Sequence, residues 1–184
     1  MSKAKKIILP ALALTLICLA ASLALAIVNA NTADVIRDNL NKKAVEGAAA
    51  VLQAESFEEI EPVAPATAIY RGTDASGAAV GYVFRTQVSG YGGTIEVLTG
   101  IAADGTVTGV GILSDSETPG LGKRVETDEF RRQFAGKSGE LSVDRLNPGD
   151  NEIQALSGAT ISSKAVTKAV NEAQEAFEGL EGRK

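Results

Sequence analysis

Hydroxyl groups cluster at one bend near the C-terminus, where they could form an ester or bind an anion. The sequence Leu-Ser-Gly-Ala-Thr-Ile-Ser-Ser covers residues 156–163, and an amphipathic helical pattern begins inside it. The N-terminus of a helix offers unpaired N–H groups and a positive dipole end, both of which stabilise a phosphate. Thr160 therefore places a hydroxyl where an anion would be held. The simpler alternative, in which Thr160 or Ser162 only caps the helix, is common and is favoured when this segment is considered alone.

A second unusual segment combines a rigid turn with glycines. The sequence Ser-Glu-Thr-Pro-Gly-Leu-Gly-Lys covers residues 116–123. Its Pro-Gly pair fixes a turn, and Gly122 allows the backbone to approach another group closely. Considered alone, the segment is most simply a surface turn that leads into a predicted helix over Asp128–Phe134, with Thr127 as the cap.

The cysteine and histidine content excludes most protein-based redox and hydrolytic chemistry. Cys18 is the only cysteine, and the chain has no histidine. These counts exclude an intrachain disulfide, a complete iron–sulfur or zinc ligand set, and catalysis by a serine or cysteine paired with histidine. No catalytic residues and no metal ligands are predicted. Any redox chemistry must come from an organic cofactor or from ligands shared with another chain, so whether the chain is an enzyme in its own right stays open.

The charge of the chain argues against nucleic acid as a partner. The sequence has 18 Lys plus Arg and 23 Asp plus Glu. An acidic surface repels nucleic acid and anionic lipid headgroups. The acidic run at Glu58, Glu59 and Glu61 is most simply a solvated surface.

One apolar run, Ile7–Val28, predicts the cellular location of the chain, because it contains no charged residue. A helix needs about 20 mainly apolar residues to cross the hydrocarbon core of a membrane. Basic residues favour the cytoplasmic side, and three of them precede the run: Lys3, Lys5 and Lys6. We therefore predict a cytoplasmic leader over residues 1–6, a transmembrane helix over 7–28 and an extracytoplasmic remainder, in a single-pass protein of the cell (inner) membrane.

Two alternatives to a retained anchor follow from the same run. Small residues at positions 24–26 and 28–30 resemble signal-peptide cleavage sites. The run is longer than the ~7–15 apolar residues of a signal peptide, which favours retention. Lipidation of Cys18 is disfavoured because the bulky Ile17 precedes it and the apolar run continues past it.

The region after the apolar run is predicted to divide into a helical connection and a compact domain. Between Thr32 and Leu52 apolar residues recur with helical spacing, with Asn31 or Thr32 as the N-cap. The two prolines of Glu61–Pro65 then interrupt regular structure. Residues 29–62 are therefore predicted as an amphipathic helix and linker, and residues 63–184 as the domain.

The domain is predicted to contain four strands and a long C-terminal helix. Turn-forming residues separate the strands, which are predicted over Ala68–Arg71, Val80–Val88, Thr94–Ile101 and Thr106–Leu113. Apolar residues between Ile161 and Leu180 line one face of the helix. The predicted fold class is α+β, an antiparallel sheet with flanking helices, preceded by one N-terminal transmembrane helix.

Together, the two unusual segments resemble the FMN-binding domain of the G subunit of the Rnf electron-transport complex, and that of the related C subunit of the Na⁺-translocating NADH:quinone reductase. The resemblance covers nearly the whole chain. Its motifs are the basic leader, the single span, Gly-Tyr-Gly-Gly at residues 90–93, Glu117–Gly122, and Ser157–Thr160 before the last helix. The length of the chain favours the Rnf protein.

The resemblance implies a covalent flavin. In this family the last threonine of the Ser/Thr-Gly-Ala-Thr motif carries FMN as a phosphoester, and a magnesium-dependent flavin transferase installs it from FAD. The corresponding residue is Thr160. The other expected FMN-binding residues are Ser157, Gly158, Ala159, Ser162, Ser163 and Lys164 near the phosphate, and Glu117, Thr118, Gly120, Leu121 and Gly122 on the opposite wall. The three serines are expected to donate hydrogen bonds to the phosphate, and Lys164 to balance its charge.

The function implied by the resemblance is electron relay in a membrane-embedded, ion-translocating ferredoxin:NAD⁺ oxidoreductase. The expected partners are the other membrane and redox subunits of the Rnf complex, together with the flavin transferase. The alternatives are the C subunit of a Na⁺-translocating NADH:quinone reductase, and a membrane-tethered binding or scaffold module without a cofactor. Many relatives have histidine at the position of Asp115, which leaves the role of Asp115 open.

Overall fold

The computed structural model describes residues 3–182. The chain divides into two compact units after Asn41. One continuous helix, α1 (Lys3–Val51), begins in the first unit and ends in the second. Residues 1 and 2 of the predicted leader, and the side chains of its lysines, lie outside the described part of the chain.

The N-terminal unit contains a segment that is long and apolar enough to cross a membrane. This segment, Ile8–Ala33, has a hydropathy of 2.7, and none of it is buried within the described protein. It begins one residue after the predicted span and extends beyond Val28. The prediction of one N-terminal apolar helix is therefore confirmed.

The expected helix start at Asn31 or Thr32 is wrong, because α1 continues through both residues. The Asn31 amide donates to the Ile27 carbonyl at 2.8 Å, and the Thr32 hydroxyl donates to the Val28 carbonyl. Both side chains thus bond backwards within the helix instead of capping a new one. A change from an apolar to an amphipathic pattern does not by itself end a helix.

The second unit is built on a five-stranded antiparallel meander in the order β1-β2-β3-β4-β5. Its strands are β1 (Ser56–Ile60), β2 (Ala68–Thr73), β3 (Ala79–Ser89), β4 (Thr94–Ala102) and β5 (Val107–Ser114). The four predicted strands correspond to β2–β5, which confirms the α+β class. Strand β1 was not predicted, because it lies in the acidic run at the sheet edge. Its Glu58 carboxylate pairs there with Arg71 at 2.7 Å.

Short elements follow the meander and lead to the C-terminal helix. They are a 3-10 helix (Gly122–Glu126), α2 (Asp128–Arg131), β6 (Ser142–Asp144), β7 (Glu152–Gln154) and α3 (Thr160–Glu181). Strands β6 and β7 pair in parallel as a separate small sheet. Helix α2 ends at Arg131, before the predicted Phe134. Thr127 stands at its N-cap position without a capping bond, because its hydroxyl donates backwards to the Arg124 carbonyl at 2.7 Å.

Helix α3 covers one face of the sheet. The rings of Tyr82, Phe84 and Phe177 pack together with centroids 6.2–6.3 Å apart. Farther along the helix, the buried Thr86 hydroxyl donates to the Ala169 carbonyl at 3.2 Å. Burial of this face and one direct polar contact therefore fix α3 on the sheet.

The last turns of α1 cover the opposite face. The buried residues there are Ala44, Ala48, Val51, Leu52, Ala68, Tyr70, Val83 and Leu98. The approach of helix to sheet is close, because a Cβ atom on Gly100 would lie 2.3 Å from the Val51 carbonyl oxygen. The Thr108 hydroxyl donates to that same oxygen at 2.5 Å. Residues 42–51 of the predicted amphipathic helix therefore pack into the core of the second unit.

We expect Gly100→Ala to destabilise the second unit by about 1–3 kcal/mol, because the new methyl group overlaps the Val51 carbonyl. Gly149→Ala is the matched control, since the nearest atom to its added Cβ would be 3.5 Å away. The measurement is the free energy of unfolding of the full chain in detergent, followed by near-UV circular dichroism. Equal effects of the two substitutions would contradict the close packing of α1 on the sheet.

Candidate functional site

A cavity of about 750 Å³ lies between the start of α3 and the loops that follow β3, β5 and β6. It brings the two unusual segments of the sequence together. Its lining comprises Tyr91, Glu117, Thr118, Leu121, Gly122, Arg145, Leu146 and residues 155–162. Ser157, Gly158, Ala159, Thr160 and Ser162 of the predicted site therefore lie on one wall, with Glu117, Thr118, Leu121 and Gly122 on another.

Thr160 is the first residue of α3 and lines the cavity. The chain turns into the helix through Gly158, whose φ of 79° is unfavourable for other residues. Ala159 occupies the N-cap position, so neither Thr160 nor Ser162 caps the helix. The half-buried Thr160 hydroxyl has no hydrogen-bond partner among the described residues. It is therefore free for chemistry.

The two serines that follow Thr160 are engaged within the protein. The Ser163 hydroxyl donates to the Ala159 carbonyl and accepts from the Leu156 N–H, both at 3.0 Å. The Ser162 hydroxyl donates to Glu117 Oε2 at 2.8 Å. A hydroxyl has one hydrogen to donate. In the protein without a ligand both hydroxyls are engaged, so donation by Ser162 and Ser163 to a phosphate stays a prediction. The exposed Ser157 also lines the cavity.

Glu117 lies beneath the cavity wall with 3% of its surface exposed. Its Oε1 atom accepts hydrogen bonds from the Tyr91 and Gly92 N–H groups at 2.7 and 3.1 Å. Its Oε2 atom accepts from Ser162. The Gly-Tyr-Gly-Gly corner, the Glu117–Gly122 segment and the start of α3 therefore meet at one carboxylate.

Large exposed apolar side chains surround the cavity. They are Tyr91, Leu121, Leu146 and Ile161, and outside α1 they are the exposed large apolar side chains in the described part of the chain. A contiguous apolar surface of this kind marks a ligand or partner site. The cavity and its rim are therefore the candidate functional site.

Sequence analysis alone missed several cavity residues. Tyr91 lies in the Gly-Tyr-Gly-Gly corner, so a signal for it was present. No local pattern indicated Arg145 or Leu146, which reach the cavity because β6 pairs with β7 just before α3. The Asp144 carboxylate holds this loop by accepting from the Leu146 N–H at 2.7 Å.

Three predicted residues, Ser163, Lys164 and Gly120, lie away from the cavity lining. Lys164 lines a separate depression with Leu141 and Asn171, because it lies about one helical turn farther along α3 than Thr160. That Lys164 balances a phosphate charge stays a prediction. Gly120 is exposed with φ of 77° and supplies the turn that presents Leu121.

Asp115 supports Glu117 and does not line the cavity. Its side chain is 1% exposed, and it pairs with Lys123 at 3.4 Å. Its Oδ1 atom accepts from the Glu117 N–H at 2.8 Å. Burial raises the pKa of Asp115, but hydrogen bonding to Glu126 and to the Glu117 N–H, together with the Lys123 charge, outweighs burial and holds the pKa below its usual range.

Comparison with known proteins identifies the family. The model of the FMN-binding domain family matches residues 90–175, a range that contains both walls of the cavity. The G subunit of the Na⁺-translocating ferredoxin:NAD⁺ oxidoreductase complex of Acetobacterium woodii is 37% identical over 188 residues, which cover 92% of this chain and 90% of that protein. The chain belongs to the family of G subunits of ion-translocating oxidoreductase complexes.

Other G subunits match a shorter range. That of the proton-translocating ferredoxin:NAD⁺ oxidoreductase complex of Clostridium ljungdahlii is 44% identical over 106 residues, 57% of each chain. That of the ion-translocating oxidoreductase complex of Methanosarcina acetivorans is 40% identical over 119 residues, 64% of this chain and 62% of that protein. The chain thus matches about three fifths of the length of these two relatives.

Solved structures share the fold. NqrC of Shewanella oneidensis superposes with a TM-score of 0.53 at 23% identity over 72% of both chains. The C subunit of the Na⁺-translocating NADH-quinone reductase of Parabacteroides distasonis gives a TM-score of 0.50 at 22% identity, covering 62% of this chain and 60% of that one. The resemblance of the sequence to the G-subunit family is therefore confirmed, and the chain has the NqrC-like fold.

The residues around the cavity fit FMN. The cavity volume of about 750 Å³ lies within the range of cofactor sites, roughly 300–1,000 Å³. Tyr91 and Leu121 offer apolar surface to an aromatic ring. Thr160 offers a free hydroxyl at a helix N-terminus, and the exposed Arg145 offers a cation that suits phosphate.

We expect the stabilising effect of Asp115 to depend on pH. Because its folded pKa lies below the unfolded value of about 3.9, its carboxylate contributes stability above about pH 4 that is lost as the pH falls through the folded pKa. Asp115→Asn should therefore lower the melting temperature at neutral pH, and the difference from wild type should shrink as the pH falls from about 5 to 2.5. Melting curves across that range test this, with the exposed Asp150→Asn as control. A difference that does not change with pH would contradict it.

Proposed function

We propose that this chain is the electron-relay subunit of an ion-translocating ferredoxin:NAD⁺ oxidoreductase, with FMN esterified through its phosphate to Thr160. The main support is the Thr160 hydroxyl, which lines the cavity and has no partner among the described residues. The neighbouring Ser162 and Ser163 hydroxyls are already engaged. Thr160 is therefore the hydroxyl of this turn that is best placed for an ester.

The surroundings of Thr160 suit a phosphate. The Ser163 N–H donates to the Ala159 carbonyl at 2.9 Å and so closes the first turn of α3. The preceding N–H groups of that turn are the ones a helix leaves unpaired, and they favour negative charge. The Arg124 side chain reaches the Ser157 carbonyl at 3.3 Å, so a second cation lies near the bend.

The attachment reaction exchanges one phosphate bond for another. The Thr160 Oγ–phosphorus bond forms as the pyrophosphate bond of FAD breaks, and AMP leaves. The hydroxyl proton passes to a base of the flavin transferase. No electrons are transferred in this step, so the redox chemistry of the flavin is preserved.

A covalent link matters because the flavin works outside the cytoplasm in this proposal. Bound FMN supplies the electron-transfer chemistry. Even a noncovalent affinity of ~1 nM, about 12 kcal/mol of standard binding free energy, leaves occupancy dependent on the free ligand concentration. The ester removes that dependence, and the chain's own residues then orient and shield the ring.

The apolar segment supports an assignment to the cell (inner) membrane. We propose that Ile8–Ala33 spans the bilayer with the leader lysines on the cytoplasmic side and the domain outside. The other redox and membrane subunits of the complex are the proposed partners. The relatives named for such complexes support this assembly.

The C subunit of a quinone reductase is the second candidate. Its solved structures share the fold at 22–23% identity, which carries no functional assignment. The 37% identity to a G subunit along 90% of that protein favours the first candidate. A scaffold module without a cofactor would not need a free hydroxyl beside an apolar cavity.

We expect wild-type chain, made together with a flavin transferase, to gain the mass of FMN less one water. Thr160→Ala should abolish this gain and the fluorescence in a denaturing gel, because the hydroxyl that forms the ester is absent. Intact-mass spectrometry and in-gel fluorescence measure the two effects.

Two variants serve as controls for the Thr160 experiment. Thr160→Ser keeps a hydroxyl and should still accept the flavin, whereas Ser138→Ala removes an exposed hydroxyl outside the cavity and should retain full labelling. Flavin that survives denaturation on Thr160→Ala would contradict the assignment, and an unmodified wild-type chain would favour the scaffold alternative.

The proposed orientation predicts the activity of a reporter fused after Lys184. Alkaline phosphatase, which folds only outside the cytoplasm, should be active there, while a cytoplasmic reporter at the same position should not be. Replacing the three leader lysines with glutamate should reduce the phosphatase signal, because the basic residues favour cytoplasmic retention of the N-terminus. Reporter activity of the opposite pattern would reverse the topology.

A further inference from the structure

We infer that Glu117 is a positioning residue that holds Thr160 on the cavity wall and withdraws Ser162 from competition for the flavin. Glu117 acts through Ser162 and need not touch the cofactor. The predicted effect of Glu117 on flavin attachment rests on the proposed function. Its structural part concerns the order of the first turn of α3 and stands by itself.

The contacts of Glu117 form a bridge between two parts of the chain. On one side its Oε1 atom binds the Tyr91 and Gly92 N–H groups at 2.7 and 3.1 Å. On the other side its Oε2 atom binds the Ser162 hydroxyl at 2.8 Å. The corner between β3 and β4 is thereby tied to the first turn of α3.

Glycines on both sides make room for this carboxylate. A Cβ atom on Gly90 would lie 2.1 Å from Oε1, and one on Gly122 would lie 2.1 Å from Oε2. A side chain at either position would expel the carboxylate from its place. Two of the glycines that the sequence concentrates in these segments therefore serve Glu117 directly.

The hydrogen-bond donors to the Glu117 carboxylate are neutral groups, so the bridge depends on these hydrogen bonds alone. In the described part of the chain, no ion pair joins its carboxylate to a lysine or arginine. A buried carboxylate without a charged partner depends on its hydrogen-bond donors, because burying a carboxylate that has no partner costs free energy. Ser162 is therefore held firmly, and its hydroxyl hydrogen is not available for other partners.

Ser163 completes the arrangement on the inner side of the bend. Its hydroxyl joins the Leu156 N–H to the Ala159 carbonyl. The turn that begins with Thr160 is thus fixed by Ser162 from one side and by Ser163 from the other. Thr160 stays on the cavity wall with its hydroxyl unengaged, which explains why Thr160, and not Ser162 or Ser163, would be modified.

The experiment compares Glu117→Asp with Glu117→Gln in the full chain. Aspartate keeps the charge, but it is one methylene too short to reach both sides. Glutamine keeps the length, so that its carbonyl can accept from the Tyr91 and Gly92 N–H groups and its amide can donate to Ser162. The first readout is hydrogen exchange of the backbone amides in residues 157–165. The second is the initial rate of flavin incorporation by purified transferase with FAD and Mg²⁺.

We expect Glu117→Asp to raise the exchange rate and to lower the incorporation rate about tenfold each, the scale of one lost charge-assisted hydrogen bond. Glu117→Gln should stay within about threefold of wild type in both. Ser162→Ala should reproduce the Asp effects, and the double variant should add little to either single one. The exposed Glu140→Gln, which lies outside the cavity lining, should change neither readout.

Several outcomes would overturn the inference. Exchange in residues 157–165 that is unchanged in both Glu117→Asp and Ser162→Ala would show that the bridge does not hold the turn. Faster exchange with unchanged incorporation would remove the positioning role. If Glu117→Asp does not fold, Ser162→Ala decides both points. If no chain, wild type included, accepts flavin, the proposed function fails, and the exchange data alone decide the bridge.

Discussion

A buried carboxylate that is bound by neutral donors determines the shape of the cavity in this protein. The two oxygens of Glu117 need donors and space, and the surrounding chain supplies both through the corner at residues 90–93, through Gly122 and through Ser162. Asp115 fixes the backbone of Glu117 in turn. The small residues Gly90, Gly122 and Ser162 are therefore explained by the demands of one side chain, which ties them to the bend before α3.

The domain depends equally on its N-terminal helix. The sheet has two apolar faces, and α3 covers only one of them, so residues 42–51 of α1 must cover the other. The helix that contains the apolar segment thus also completes the core. Cleavage at residues 24–30, the alternative that resembles a signal peptide, would leave this part of the core intact. Membership of a family of ion-translocating complex subunits favours the retained anchor.

Local patterns predicted the elements whose stability is local and missed contacts that depend on the tertiary fold. Alternation and turn residues placed β2–β5, and helical periodicity placed α3. Strand β1 was not predicted because its acidic residues do not indicate a strand, although an edge strand tolerates charge. The hydrogen bond from Ser162 was not predicted because its partner, Glu117, is 45 residues away in the sequence. Arg145 reached the site through the pairing of β6 with β7, which no periodicity indicates.

The exposed rim of the cavity fits the proposed role better than it fits a scaffold. Leu146 is 80% exposed and Tyr91 is 72% exposed, and each exposed side chain of that size forgoes roughly 1.5–3 kcal/mol of burial. Both lie beside the hydroxyl proposed to carry the flavin, where an aromatic ring would cover part of the rim and leave an edge open. An electron carrier needs such an open edge for its donor and acceptor. Under the proposed function, ligand and partner would share this rim, and an apolar surface that is a liability on an isolated domain would serve the relay.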